Sequence, residues 1–367
     1  MRKRREAFWQ TVLAWHFAFP LALSFIGLLA LYSTTYTGSA MPSRTVLMQV
    51  LWIAAGIGLY LLVARIRVGV KPANWLPFFI PVEALLLLTL AVGWVAHGSR
   101  RWLKLGELTV QPSEFAKLFA VFLLAYFLSE YTRSEERRSF FATLGVLIAL
   151  YIPIVLQPDL GTAMVFLALF VTVMWVKPLP RQYLFGFFAA LVLIAVPGWF
   201  ALKDYQRDRI MSFVHPSRDI LGSGYHVNQS KIAVGSGGVW GKGYLHGTQT
   251  QGQFIPVQAA DFIFATVGEE WGLIGSLAVL ALFGAYFWKT LALAKRVRGD
   301  YQRLIAYGVL AVMFFQLFIN VGMTIGVTPV TGLPLPFLSA GGSSMVTMWA
   351  LSGMLASLQR HLPAGAG

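Results

Sequence analysis

Ten stretches of mostly apolar residues, each about as long as a bilayer is thick, dominate the 367-residue chain. They run over 11–32, 46–64, 76–96, 113–129, 140–157, 161–176, 183–202, 261–290, 304–326 and 341–359. The gaps are mostly short and polar. The largest, 203–260, is rich in Gly, Ser, Gln and charged residues. Only 12% of the residues are charged, about half the share of a soluble domain. That leaves too little polar surface to cover a water-soluble globule, so lipid must be the solvent for most of the chain. The expected fold is a single all-α polytopic membrane domain over 1–367. It has about ten spanning helices, with a large external loop between spans seven and eight.

The N-terminus reads Met1-Arg2-Lys3-Arg4-Arg5, followed by an apolar run to Tyr32. That run exceeds the roughly 7–15 residues of a signal-peptide core and lacks a convincing cleavage site, so it reads as a retained first span. With the N-terminus inside, the inner segments hold 18 Lys and Arg against 10 outside. The positive-inside bias then places both termini in the cytoplasm and 203–260 outside. A net charge of +14 would suggest nucleic acid on a soluble protein. Here the cations alternate with apolar runs, so anionic headgroups or a phosphate-bearing lipid are the expected partners, and not nucleic acid. Cysteine is absent, which removes disulfides and thiolate chemistry.

Acids in or against spans are expensive, roughly 2.5–3.5 kcal/mol each at the bilayer centre, and are usually paired, cavity-facing or functional. Glu114 and Lys117 are three apart and share a helix face, either as a structural pair or as the wall of a polar cavity. Asp159 precedes Leu160-Gly161-Thr162 at a helix start, where capping alone would account for it. Asp261 ends the polar loop and begins Asp261-Phe262-Ile263-Phe264. A carboxylate half desolvated at the boundary suits base work, and an N-cap would occupy the same position. Glu269 and Glu270 lie two turns deeper, as a polar channel or as helix–helix hydrogen bonds. Glu83 is expected to bond a neighbouring helix.

Cations gather on the same side: Arg100, Arg101, Lys104, Arg207, Arg209, Lys231 and Lys242. Several lie near Gly222-Ser223-Gly224, Gly235-Ser236-Gly237-Gly238 and Gly241-Lys242-Gly243. Glycines let backbone amides approach an anion closely. The nucleotide P-loop pattern is absent from the sequence. The Gly- and Pro-rich segment from Thr328 to Ser344 reads as a re-entrant turn before the last span.

Together these motifs resemble the SEDS family (shape, elongation, division and sporulation). The resemblance runs from about Arg101 to Arg360. It is carried by Arg101-Trp102-Leu103, by Gln111-Pro112-Ser113-Glu114 with Lys117, and by Gln157-Pro158-Asp159-Leu160-Gly161-Thr162. Next come Asp204-Tyr205-Gln206-Arg207 with Arg209, Gly224-Tyr225-His226, and Gln229-Ser230-Lys231. The run from Gly235 to Gln249, Asp261-Phe262-Ile263-Phe264, and Pro334-Leu335-Pro336 with Ser339 to Ser343 complete it. The Leu245-His246-Gly247-Thr248-Gln249 stretch resembles the rod-shape branch rather than the division branch. The sequence departs from the family pattern at Val257 to Ala260 and at Ala340.

The resemblance implies a peptidoglycan glycosyltransferase that polymerises lipid II at the outer face of the plasma membrane during elongation. It also implies a class B penicillin-binding protein as transpeptidase partner, together with other elongation-complex proteins. It makes Asp261 the catalytic acid and Glu114, Lys117 and Asp159 functional polar positions. A diphosphate leaves as a stable anion, so one base suffices and cations must meet the leaving group. Arg101, Lys117, Arg207 and Lys231 are the candidates. Glu114 and Asp159 would orient them or hold a divalent ion, Mg or Mn; no cofactor is otherwise expected. The rival reading is a lipid II flippase using Glu83, Glu269 and Glu270 as a polar path.

Overall fold

The computed structural model describes residues 14–36, 38, 41–96, 99–106, 108–130, 135–177, 179–214 and 223–362. The basic cluster at Arg2–Arg5, Arg133 and Gly222 lie outside the described residues. Ten long helices cover the ten apolar stretches. They are α1 (Trp15–Thr34), α2 (Arg44–Val63), α3 (Leu76–Val92), α4 (Pro112–Ser129), α5 (Glu136–Leu156), α6 (Leu160–Val176), α7 (Arg181–Ala201), α12 (Ile263–Arg296), α13 (Asp300–Ile325) and α14 (Gly342–Arg360). Their starts follow local chemistry. Pro112 opens α4, where no amide partner is needed. Ser43 accepts from the Val46 amide at α2, and Asp159 accepts from the Thr162 amide at α6.

Seven of these helices are long and apolar enough to cross a membrane; α3 and α6 are slightly shorter. The last, α14, is richer in Ser and Thr and needs no lipid-facing surface, because residues 343–358 are all buried. It packs most heavily on α2. Small residues permit the approach: Gly56 lies against the Trp349 ring and Gly353 against the Tyr60 backbone. By contrast, α7 buries almost none of its span, exposing Phe185, Leu193 and Phe200.

Two features depart from the sequence expectation. The third span stops at Val92, and its apolar tail turns into a three-stranded antiparallel sheet, β1 (Trp94–Ala96), β2 (Ser99–Leu105) and β3 (Leu108–Val110). The polar loop 203–260 folds into α8 (Asp204–Val214), α9 (Ser223–Ser236) and the single turns α10 (Thr248–Gln251) and α11 (Gln258–Asp261). Residues 327–341 have no regular structure, yet Leu333, Leu335, Phe337 and Leu338 are buried in the protein. Irregular backbone near a bilayer is tolerated under that condition.

The helix ends sort into two faces. At one, Trp15 Nε1 donates to Gln359 Oε1 at 2.7 Å, Lys71 pairs with Glu130 at 2.5 Å, and Lys177 pairs with Asp300. Both ends of the described chain lie at this face. The sheet, α8 to α11 and the 327–341 segment lie at the other.

Candidate active site

Alternation along β2 exposes Arg100 and turns Arg101 inward. Arg101 Nη1 lies 3.5 Å from Asp159 Oδ1. The same carboxylate caps α6 through the Thr162 amide at 3.2 Å, and its Oδ2 accepts from Gln111 Nε2 at 2.9 Å and Ser113 Oγ at 3.4 Å. Asp159 is therefore both a cap and the node that joins β2, α4 and α6. Below it, Lys117 Nζ pairs with Glu114 Oε1 at 2.5 Å, and both side chains are shut off from solvent. Glu114 Oε2 has no protein partner among the described residues. Gln111 also ties this group to α14, its amide donating to Ser343 Oγ at 2.9 Å.

The floor of the site is the segment Thr331-Gly332-Leu333. A methyl group built on Gly161, two residues after Asp159, would lie 2.9 Å from Thr331 O. A methyl on Gly332 would lie 3.5 Å from Asp261 Oδ2 and 4.0 Å from Arg209 Nη1. Arg209 Nη1 also donates to Thr331 O at 3.4 Å. Gly332 has φ +75°, a left-handed conformation that glycine adopts without strain. Asp261 itself is half-buried, at the end of α11 and the start of α12.

Beside Arg209 a small cleft is lined by Lys231, Val227, Phe213, Gly326 and Thr328. Lys231 lies across Gly326, the left-handed cap of α13, where a side chain would collide with it. The cleft thus combines two cations with apolar walls.

Arg207 points elsewhere. Its Nε donates to Trp199 O at 3.1 Å and its Nη2 to Phe200 O at 2.7 Å, capping the carbonyl end of α7. The sequence reading placed it among the cations for the leaving group; in the structure Arg209, two residues on, is the arginine that approaches Thr331 and Gly332.

Glu269 and Glu270 are staples of the glycine-rich loop. Glu269 accepts from Lys242 Nζ at 2.8 Å, from the Gln249 amide at 2.8 Å, and from the Thr250 amide and hydroxyl at 2.9 and 2.8 Å. Glu270 accepts from Ser33 Oγ at 2.5 Å. α12 is broken at Gly272 (φ +65°, ψ −161°), which frees the carbonyls of Glu269 and Glu270. The Lys242 and Gly243 amides take them, each at 3.0 Å. Tyr244 donates to Leu29 O at 3.1 Å, and burial, then the Glu270 charge, push its hydroxyl above the usual tyrosine range, keeping it a donor. The loop is thereby fixed on α1 and α12, and these acids serve loop docking. Glu83, expected to bond a neighbouring helix, has a buried Oε2 with no partner among the described residues.

Among the described residues no group of three or more His, Asp or Glu could hold a metal ion. The two carboxylates offered to a divalent ion are taken by Lys117 and Arg101.

Sequence reasoning did not single out Asn320, Thr331 or Gly332 for the site. For Asn320 a signal existed: a polar amide inside an otherwise apolar span. The other two had none, since a floor residue is defined by what it touches.

Fold and site define a polytopic helical membrane protein with a basic cleft and a half-buried carboxylate near it at one end of the helices. The "Cell cycle protein" family model of FtsW, RodA and SpoVE matches residues 13–363, and the chain belongs to this family. It is 36% identical over 365 residues to "Peptidoglycan glycosyltransferase MrdB" of Escherichia coli, covering 97% of this chain and 96% of that one. It is 32% identical to "Peptidoglycan glycosyltransferase RodA" of Treponema pallidum, covering 92% and 95%. Among solved structures, one described as "Structural coordination of polymerization and crosslinking by a peptidoglycan synthase complex" superposes with a TM-score of 0.77 at 30% identity, covering 96% and 97%. The rod shape determining protein RodA of Thermus thermophilus gives 0.68 at 27% identity, covering 94% and 95%.

Proposed function

We propose that the chain is a peptidoglycan glycosyltransferase that polymerises lipid II during cell-wall elongation, with Asp261 as general base. The observation that carries the site assignment is the pair at Gly332, a half-buried carboxylate and a guanidinium that lie 3.5 and 4.0 Å from where its side chain would stand.

In this reading a sugar hydroxyl loses its proton to Asp261 as its oxygen bonds to the anomeric carbon. The bond from that carbon to the diphosphate breaks, and the electron pair leaves with the diphosphate. Inversion follows from direct displacement. Arg209 meets the departing charge nearest the acid, and Lys231 meets it further along the cleft. Arg101 and Lys117, each held by a carboxylate, shape the adjoining wall. The apolar side of the cleft suits a lipid-linked substrate.

The site faces the exterior of the bacterial plasma membrane and both termini face the cytoplasm. The Lys and Arg excess in the segments opposite the site supports this orientation. A class B penicillin-binding protein supplies crosslinking. The match to a synthase complex that couples polymerisation to crosslinking supports that partner.

The test is polymerisation of purified lipid II by the partner-bound protein and its Asp261→Asn variant. The expected result is loss of polymer with folding and partner binding intact; near-normal polymer from the variant would remove Asp261 from the mechanism. Labelled lipid II changing leaflet in vesicles with no polymer formed would favour a flippase instead.

A further inference from the structure

Two backbone carbonyls converge on one side chain. Asn320 Nδ2 donates to Asp261 O at 2.9 Å and to Leu333 O at 2.8 Å. Asn320 is fully buried, in the last turns of α13. Both partners only accept, so the NH2 end of the amide must face them, and its orientation is dictated by chemistry.

The turn that bears Asp261 needs outside support. α11 is four residues long and starts from Val257 at φ +54°, a left-handed conformation unfavourable for a β-branched residue. Phe262 (φ −120°, ψ 27°) then separates it from α12. Neither helix therefore fixes the position of Asp261 through continuous backbone bonding. Apart from Asn320, a second pin is the Ala340 amide, which donates to Ala259 O at 2.9 Å. Leu333, the other partner of Asn320, is two residues from Thr331, whose carbonyl receives Arg209. One buried amide thus joins the strand of chain that carries the acid to the strand that receives the guanidinium.

We infer that Asn320 is a positioning residue for glycosyl transfer: it sets where the Asp261 carboxylate stands relative to Arg209 without touching substrate. The inference rests on the reading of Asp261 as base. Displacements of about 1 Å in such a pair change rate by up to about 100-fold.

Isosteric replacements separate this role from packing. Asn320→Leu keeps volume and removes both donors. Asn320→Asp keeps shape; ionised, it only accepts and repels both carbonyls, and protonated, it regains one donor. The experiment is lipid II polymerisation by the full chain in complex with its transpeptidase partner, with kcat, KM and pH profile measured for N320L, N320D and D261N. Thr290→Val serves as control. It removes a buried hydroxyl bonded to its own helix at Tyr286 O, away from the site, and is expected to leave turnover unchanged.

The expected results are a kcat for N320L lower by about 10- to 100-fold, with KM within about twofold and partner binding retained. The ratio of the N320D rate to the parent rate should rise as pH falls. A parental kcat for N320L overturns the inference, as does a rise in KM with kcat unchanged. Should N320L not fold, the N320D ratio decides, and a ratio independent of pH overturns the inference. D261N separates the two ideas. Inactive D261N beside fully active N320L removes Asn320 alone, whereas active D261N removes the base itself.

Discussion

Lys117 and Glu114 form an ion pair at 2.5 Å with both side chains sealed from solvent. Removing one partner leaves an uncompensated buried charge, which costs about 3–5 kcal/mol, whereas removing both leaves none. Lys117→Met or Glu114→Gln alone is expected to lower thermal stability by about that amount. Lys117→Met with Glu114→Leu should regain most of it. Melting of the purified protein in detergent checks this, and polymer formation should stay low in the double variant because the polar wall is gone.

Gly332 lies against both Asp261 and Arg209, and Gly332→Ala tests how much its missing side chain matters. The new methyl would make ordinary contacts, 3.5 and 4.0 Å from their polar atoms. At φ +75° an L-residue also carries about 1–2 kcal/mol of backbone strain. Loss of polymerising activity well beyond the fall in stability is expected, measured as turnover against melting temperature.

Arg209 and Arg207 should behave differently although they are two residues apart. In the proposed mechanism Arg209→Ala removes a charge-assisted contact to the leaving group, expected to cost about 1.5–3 kcal/mol, or roughly 10- to 150-fold in rate. Arg207→Ala uncaps α7 at Trp199 and Phe200 and should act on stability. Comparing turnover and melting for the two variants decides the matter.

Glu269→Ala strands five donors of the 242–250 loop at once. The loop is expected to detach from α12, with faster amide exchange over 242–251 and trypsin cleavage after Lys242. Glu269→Gln, which keeps one acceptor oxygen, should lie between the two. Unchanged exchange in the alanine variant would contradict the stapling role.

Some of this was legible beforehand and some was not. Apolar length alone located the ten spans, because a helix must hide its backbone polar groups wherever lipid is the solvent. Pro112 and Asp159 marked helix starts by local chemistry. The β-sheet was not legible: Trp94-Val95-Ala96 is as apolar as the helix before it, and only pairing with β2 gives it strand geometry. α8 and α9 escaped notice because the mixed polar composition of 203–260 carries no strong helical period. Glu269 and Glu270 read equally well as a channel or as helix–helix bonds, because the partners of Glu269 lie about 20 residues back in a loop whose docking depends on the break at Gly272, and Glu270 is met by Ser33 on α1.

The sequence by itself determined the solvent, the number of spans, the family and the acid that heads α12, since composition and local motifs act within a few residues. Only the tertiary structure decided that Arg209 and that acid both come to Gly332, and that Asn320 ties their two segments together. These are relations between distant stretches of chain, and they exist only once α13 and the buried 331–333 segment have packed between them.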